Sequence, residues 1–150
     1  ATRELQPFGP ALYTVAAAER SGRPRPVLAT SRTLSGQLSP DGKSLLFARG
    51  SSDWPRRGYR GDASADLYLH PLGTKQARRL TDFDGQDMWP QWLPGGREAL
   101  YVSERDGTHN LWKIDVATGR ATQVTRHKGD GVRFPGVAAD GSRVAYEIAG

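Results

Sequence analysis

The chain has 150 residues, 37% apolar and 25% charged, the composition of a folded globular chain and not of a disordered or membrane-spanning one. Its 18 Gly and 10 Pro favour short strands joined by turns over a helical bundle, and with no Cys it can hold no disulfide, thiol nucleophile or iron–sulfur cluster. A net charge of +5 admits nucleic acid, an anionic surface or acidic ligands as partners.

The chain opens Ala1-Thr2-Arg3, without an initiator Met or a signal-like apolar stretch, as expected of a processed product or a piece of something longer. Residues 10–30 then supply two strands, the first carrying Leu12-Tyr13-Thr14-Val15. Residues 31–82 form a unit of four. A strand ends at the turn Asp41-Gly42, a second follows over Leu45–Arg49, a third carries Leu67–Leu69, and a turn at Gly73-Thr74 leads to a fourth ending near Thr81. Residues 86–126 repeat this order, with the turn Gly95-Gly96, a third strand over Leu111–Ile114, the turn Thr118-Gly119 and a fourth strand ending near Thr125. Residues 132–148 supply only a first and a second strand around Asp140-Gly141.

Gly42, Gly96 and Gly141 are spaced 54 and 45 apart, whereas Asp66 and Asn110, like Thr81 and Thr125, are 44 apart. A period of about 44 residues with four short strands is that of a β-propeller blade. Leu45-Leu46-Phe47-Ala48 puts apolar side chains on both faces of a sheet, as a blade between two neighbours requires. The expected fold is therefore all-β: two complete blades of four antiparallel strands and two half blades, about three blades' worth. Three blades do not close a ring, so a second copy or the remainder of a longer chain is the expected partner in closure.

Ten extra residues in the first complete unit form an insertion between its second and third strands, within residues 50–62. Strand direction places such connections on the same rim as the connections between blades. Trp54, Arg56, Arg57, Tyr59 and Arg60 therefore share a rim with the acidic segment 82–87 and with His127 and Arg133. Loops on one rim of a rigid scaffold carry binding residues. Three Arg with two aromatics suit a carboxylate or phosphate. The alternative is that these Arg pair with Asp62, Asp82, Asp84 or Asp87 and brace the rim.

The remaining polar residues point to no reaction. His70, His109 and His127 lack metal-ligand spacing, and Asp82, Asp84 and Asp87 lack the distal Glu of a calcium loop. Ser103, His109 and Asp115 have the residue types of a triad but no nucleophile motif around them. No cofactor is expected. Trp89, Trp92, Trp112, Phe134 and Tyr146 fall on repeat strands, where they are expected to fill the space between blades. The basic residues are scattered through every repeat, so neither nucleic acid nor a membrane is the expected partner.

These repeats resemble TolB-type propeller repeats and, more closely, the six-bladed propeller region of tricorn-like serine peptidases. The resemblance is carried by Phe8 to Val15, by the Ser-Glu-Arg-Asp-Gly-Thr-His-Asn-Leu-Trp run over 103–112, and by Val132-Arg133-Phe134-Pro135. Gly95 stands where the family's turn has Asp, and Ala138-Ala139 where it has Ser-Pro; the catalytic and PDZ regions of such peptidases have no counterpart here. The resemblance implies a noncatalytic module that recruits or channels peptide substrate and supports assembly, with a peptide or protein as partner. A TolB-type protein-interaction module without a peptidase is the alternative. Export to the periplasm is the compartment the resemblance favours.

Overall fold

The computed structural model describes residues 12–15, 25–27, 32–50 and 55–149, and all the described elements are strands. β1 (Tyr13–Thr14) pairs with β2 (Arg25–Pro26). β3 (Thr33–Leu38), β4 (Ser44–Arg49), β5 (Asp66–Pro71) and β6 (Arg78–Arg79) form an antiparallel meander in chain order. β7 (Asp87–Trp92), β8 (Glu98–Ser103), β9 (Asn110–Asp115) and β10 (Ala121–Gln123) form a second. β11 (Gly131–Val137) pairs with β12 (Val144–Ala149). Each sheet of four is a propeller blade.

Turn chemistry explains the repeat. Gly42 and Gly141 take φ of 69° and 74°, a left-handed conformation that disfavours side chains. The preceding acid ties each turn down: Asp41 accepts from Ser39 Oγ at 2.5 Å and Lys43 N at 3.1 Å, and Asp140 from Ser142 N at 3.0 Å. In the second blade Gly95 itself takes φ of 90°, where an Asp would be strained, which accounts for that departure.

The Asp66/Thr81 and Asn110/Thr125 pairs have a mechanical reason. Thr81 Oγ1 accepts from Leu67 N at 3.0 Å and donates to Asp66 Oδ1 at 3.1 Å. Thr125 Oγ1 accepts from Leu111 N at 2.9 Å and donates to Asn110 Oδ1 at 2.8 Å. A hydroxyl past the short fourth strand thus satisfies the third strand where the ladder runs out.

The core lies between sheets. Leu46, Ala48 and Leu67 of one blade pack on Trp92, Ala99, Tyr101, Ile114 and Val116 of or beside the next. Val102 and Leu111, on the other face of that blade, pack on Val132 with Trp89, Val144 and Tyr146. Alternate residues of β8 thereby serve two neighbours, because successive side chains leave a strand on opposite faces. Trp92 also bridges blades, donating Nε1 to Gln37 O at 3.1 Å.

Phe134 is 49% exposed, yet its ring meets Trp89 of the neighbouring blade, which places it at the margin of the interblade space. It and Trp89, 45 residues apart, have positive φ of 47° and 50° at bulges in β11 and β7, and their rings meet at 4.8 Å. The bulge directs Phe134 across to Trp89 of the neighbouring sheet.

Candidate functional site

The insertion runs from the end of β4 to β5, and among the described residues 55–65 it forms no strand. It lies against the next blade at the rim where the 80–86, 104–109 and 124–130 connections emerge. Gly61 N donates to Asp84 Oδ1 at 3.2 Å, and the end of β8 supplies the other anchor, Glu104. Its carboxylate accepts Gly58 N at 2.8 Å, Arg60 Nη1 at 2.8 Å and Gln86 N at 3.3 Å. The Glu104 side chain is 3% exposed, so this ion pair is shielded on the acidic side.

The partner of Arg60 is thus Glu104 and none of Asp62, Asp82, Asp84 or Asp87, and its guanidinium also lies 5.0 Å over the Phe83 ring. Arg56 is exposed and stacks on Tyr59, 4.3 Å from the ring centroid. Arg57, also exposed, has Nη2 3.4 Å from where a Cβ on Gly131 would stand, which brings the insertion to the start of β11. Neither Arg56 nor Arg57 has a carboxylate partner among the described residues. Trp54 lies outside the described residues.

His127 and Arg133 lie on the same side of this rim. His127 is half-buried and fixed by Asn110, which accepts its N–H at 2.8 Å and donates to its carbonyl at 3.2 Å. Its Nε2 is 3.2 Å from Tyr146 Oη. Arg133 is half-buried on β11. The structure therefore brings Arg57 to the 127–133 segment, leaves Arg56 outward on Tyr59, and engages Arg60 internally.

Behind the rim is a charged set whose pairing sequence reasoning did not give: buried Asp87, Glu104 and His109 with half-buried Arg105. Arg105 donates to Asp87 Oδ2 at 3.0 Å and sits 5.0 to 5.6 Å from the rings of Trp112, Phe83 and Tyr101. Burial pushes the Asp87 carboxyl up to about 6, outweighing the Arg105 guanidinium and the hydroxyls of Ser103 and Thr81. Burial pushes His109 down, reinforced by Arg57 and opposed by Glu104, whose Oε2 is 3.9 Å from His109 Nε2. The signal in the sequence was two charges, Glu104-Arg105, one residue beyond the apolar run 99–102. Charges that near a core strand must be paired.

Asp87 gives a pH prediction. An acid whose folded pKa lies above its unfolded value binds more protons when folded, so stability falls as pH rises from about 4 to about 6 and is level above. From 3.8 to about 6, the loss is about 3 kcal/mol. Asp87→Asn should remove this component, so chemical denaturation at pH 4 and pH 7 should show the variant gaining about that much on the parent. A pH-independent difference between the two would contradict the assignment.

No reaction site emerges from the triad residue types. Ser103 pairs with Asn110 at one end of the β8–β9 ladder, whereas Asp115 pairs with Glu98 at the other. Asp115 is bound into its own turn by Thr118 and by Arg97 at 3.0 Å, which hold its carboxyl down to about 2. The segment 82–87 bonds to protein donors, and no cluster of metal-ligating side chains occurs among the described residues.

With blades, rim and insertion defined, comparison with known proteins fixes the class. Residues 2–150 match the family described as the tricorn protease N-terminal beta propeller domain. The chain belongs to that family. It is 28% identical over 109 residues to a tricorn protease homolog of Saccharolobus solfataricus, covering 71% of this chain and 10% of that one. It is 31% identical over 84 residues to the Tol-Pal system protein TolB of Helicobacter hepaticus, covering 56% and 19%. Among solved structures, TolB from Acinetobacter baumannii superposes with a TM-score of 0.74 at 24% identity, covering 92% of this chain and 32% of that one. The tricorn protease superposes at 0.66 and 17%, covering 92% and 13%. At those identities the superpositions speak to the fold alone. The chain spans a tenth to a fifth of the length of these curated relatives.

Proposed function

We propose that this chain is a noncatalytic propeller module of a tricorn-like serine peptidase, and that its insertion-bearing rim recruits peptide substrate by the free carboxylate at a chain end. The observation that carries the reading is the pair Arg56 and Arg57, exposed on a tethered insertion and without a carboxylate among the described residues. Two guanidinium groups in sequence suit a carboxylate, and Tyr59 beneath Arg56 holds one of them in a fixed plane. His127 and Arg133, on the 127–133 segment that Arg57 approaches at Gly131, are the residues expected to meet the rest of a bound peptide. The open edges of the half blades support assembly, with a second copy completing a six-bladed ring.

The TolB likeness supports a second reading, a protein-binding propeller without a peptidase. Peptides with free and amidated C-termini separate the two. The first reading expects the free acid to bind about tenfold more tightly, a difference of about 1.4 kcal/mol. Arg56→Ala/Arg57→Ala should abolish the preference. Equal affinity for both peptides would remove the carboxylate reading and leave the protein-binding one.

A further inference from the structure

Glu104 is buried, yet three donors from two separate segments converge on it: Gly58 N and Arg60 Nη1 from the insertion, and Gln86 N from the connection between blades. Among the insertion's described residues, other ties across to neighbouring segments include Arg60 over Phe83 and Arg57 near Gly131. Its internal backbone bonds are Arg57 N to Pro55 O and Ser64 N to Gly61 O, and Asp84 accepts Gly61 N from an exposed position. Gly58 takes φ of 68°, a left-handed turn directly after Arg57, and this turn presents its N–H to Glu104. The peptide unit fixed by Glu104 is therefore the one that sets the direction of Arg57.

The same carboxylate distinguishes the cations of the insertion. It pairs with Arg60, whose side chain is still 42% exposed, while Arg56 and Arg57 have no carboxylate partner among the described residues. A carboxylate this buried is stable only with its donors in place, so the contact acts as one fastening.

We infer that Glu104 is the positioning residue of the rim: it latches the insertion to the neighbouring blade and orients Arg57. This rests on the proposed carboxylate recognition for its functional consequence, but the latch itself is independent of any ligand.

Two measurements on the whole chain test it. Hydrogen exchange without ligand should show the Gly58 and Gln86 amides exchanging at least about tenfold faster in Glu104→Ala and Glu104→Gln, with amides of β8 and β9 unchanged. Added formate should restore much of the protection in Glu104→Ala by occupying the vacated carboxylate position. Unchanged exchange at Gly58, or acceleration spread evenly over the blade, would overturn the latch. The second measurement is the ratio of affinities for free-acid and amidated peptides. With Arg57 loosened, Glu104→Gln should bring that ratio toward one while retaining peptide binding; an unchanged ratio would overturn the orienting role. If the parent shows no preference for the free acid, carboxylate recognition fails, and the latch is decided by hydrogen exchange alone.

Discussion

Replacing Tyr101 by Ala is expected to destabilise the chain by about 3–5 kcal/mol, the range for deleting a large aromatic from a packed core. Tyr101 has no exposed surface. It sits mid-strand on β8, opposite Trp112 on β9, and packs in the cluster that joins the two complete blades. Arg105 lies 5.6 Å from its ring, so the cavity would also loosen the cation held behind the rim. The hydroxyl gives a control. Tyr101 Oη is buried without a hydrogen-bond partner, and burial together with the nearby Asp87 pushes its ionisation far up. Tyr101→Phe removes an unsatisfied polar atom and keeps the ring, so it should be neutral or stabilising. Denaturant unfolding of both variants checks this. A Phe variant as unstable as the Ala variant would show that the hydroxyl carries the stability.

The second large effect is a doubling of mass. Each complete blade carries an aromatic pair across its second and third strands, Phe47 opposite Tyr68 and Tyr101 opposite Trp112. The half blades carry one member each: by the repeat, Tyr146 on β12 corresponds to Tyr101, and Tyr13 on β1 to Trp112. Among the described strands β12 pairs only with β11 and β1 only with β2, and Tyr13 and Ile148 are 55% and 53% exposed. Unpaired edges recruit other strands. Two copies joined β12 to β1 would restore both blades and close six around a twofold axis. The isolated chain should therefore scatter light as twice 16.4 kDa. The register is specific: Tyr146 opposite Tyr13 places Ala145 opposite Thr14. Ala145→Cys/Thr14→Cys should cross-link copies under mild oxidation, whereas moving one Cys by a residue should not, because the side chain then leaves the other face. A monomer at all concentrations would contradict the ring.

Much of the architecture was legible because the repeat writes its turns in glycine and its strands in apolar pairs. Gly42, Gly96 and Gly141 each take positive φ, and the strands expected after them form there. The Thr81 and Thr125 repeats marked a tie to the third strand whose atoms only the structure shows. The rim was legible from strand direction alone. Its wiring was not, because partner choice among charges depends on which loops meet in space. Asp62, Asp82, Asp84 and Asp87 are nearer Arg60 in sequence than Glu104, yet Glu104 leaves the end of β8 just where the insertion crosses it. The half-exposed position of Phe134 was illegible for a related reason: a bulge changes the direction of a side chain without changing the pattern of residue types.

The central claim is that this module binds a peptide end at the insertion-bearing rim. The opposite rim offers the natural control, an interblade cleft of about 600 Å³ lined by Ser39, Leu69, Arg78, Trp92, Arg97 and Val116. Backbone amide shifts recorded during titration with a free-acid peptide test the choice between rims directly. The largest changes are expected over residues 55–61 and 127–133, vanishing in Arg56→Ala/Arg57→Ala. Changes centred on residues 39–44 and 95–97 and indifferent to that variant would contradict the account.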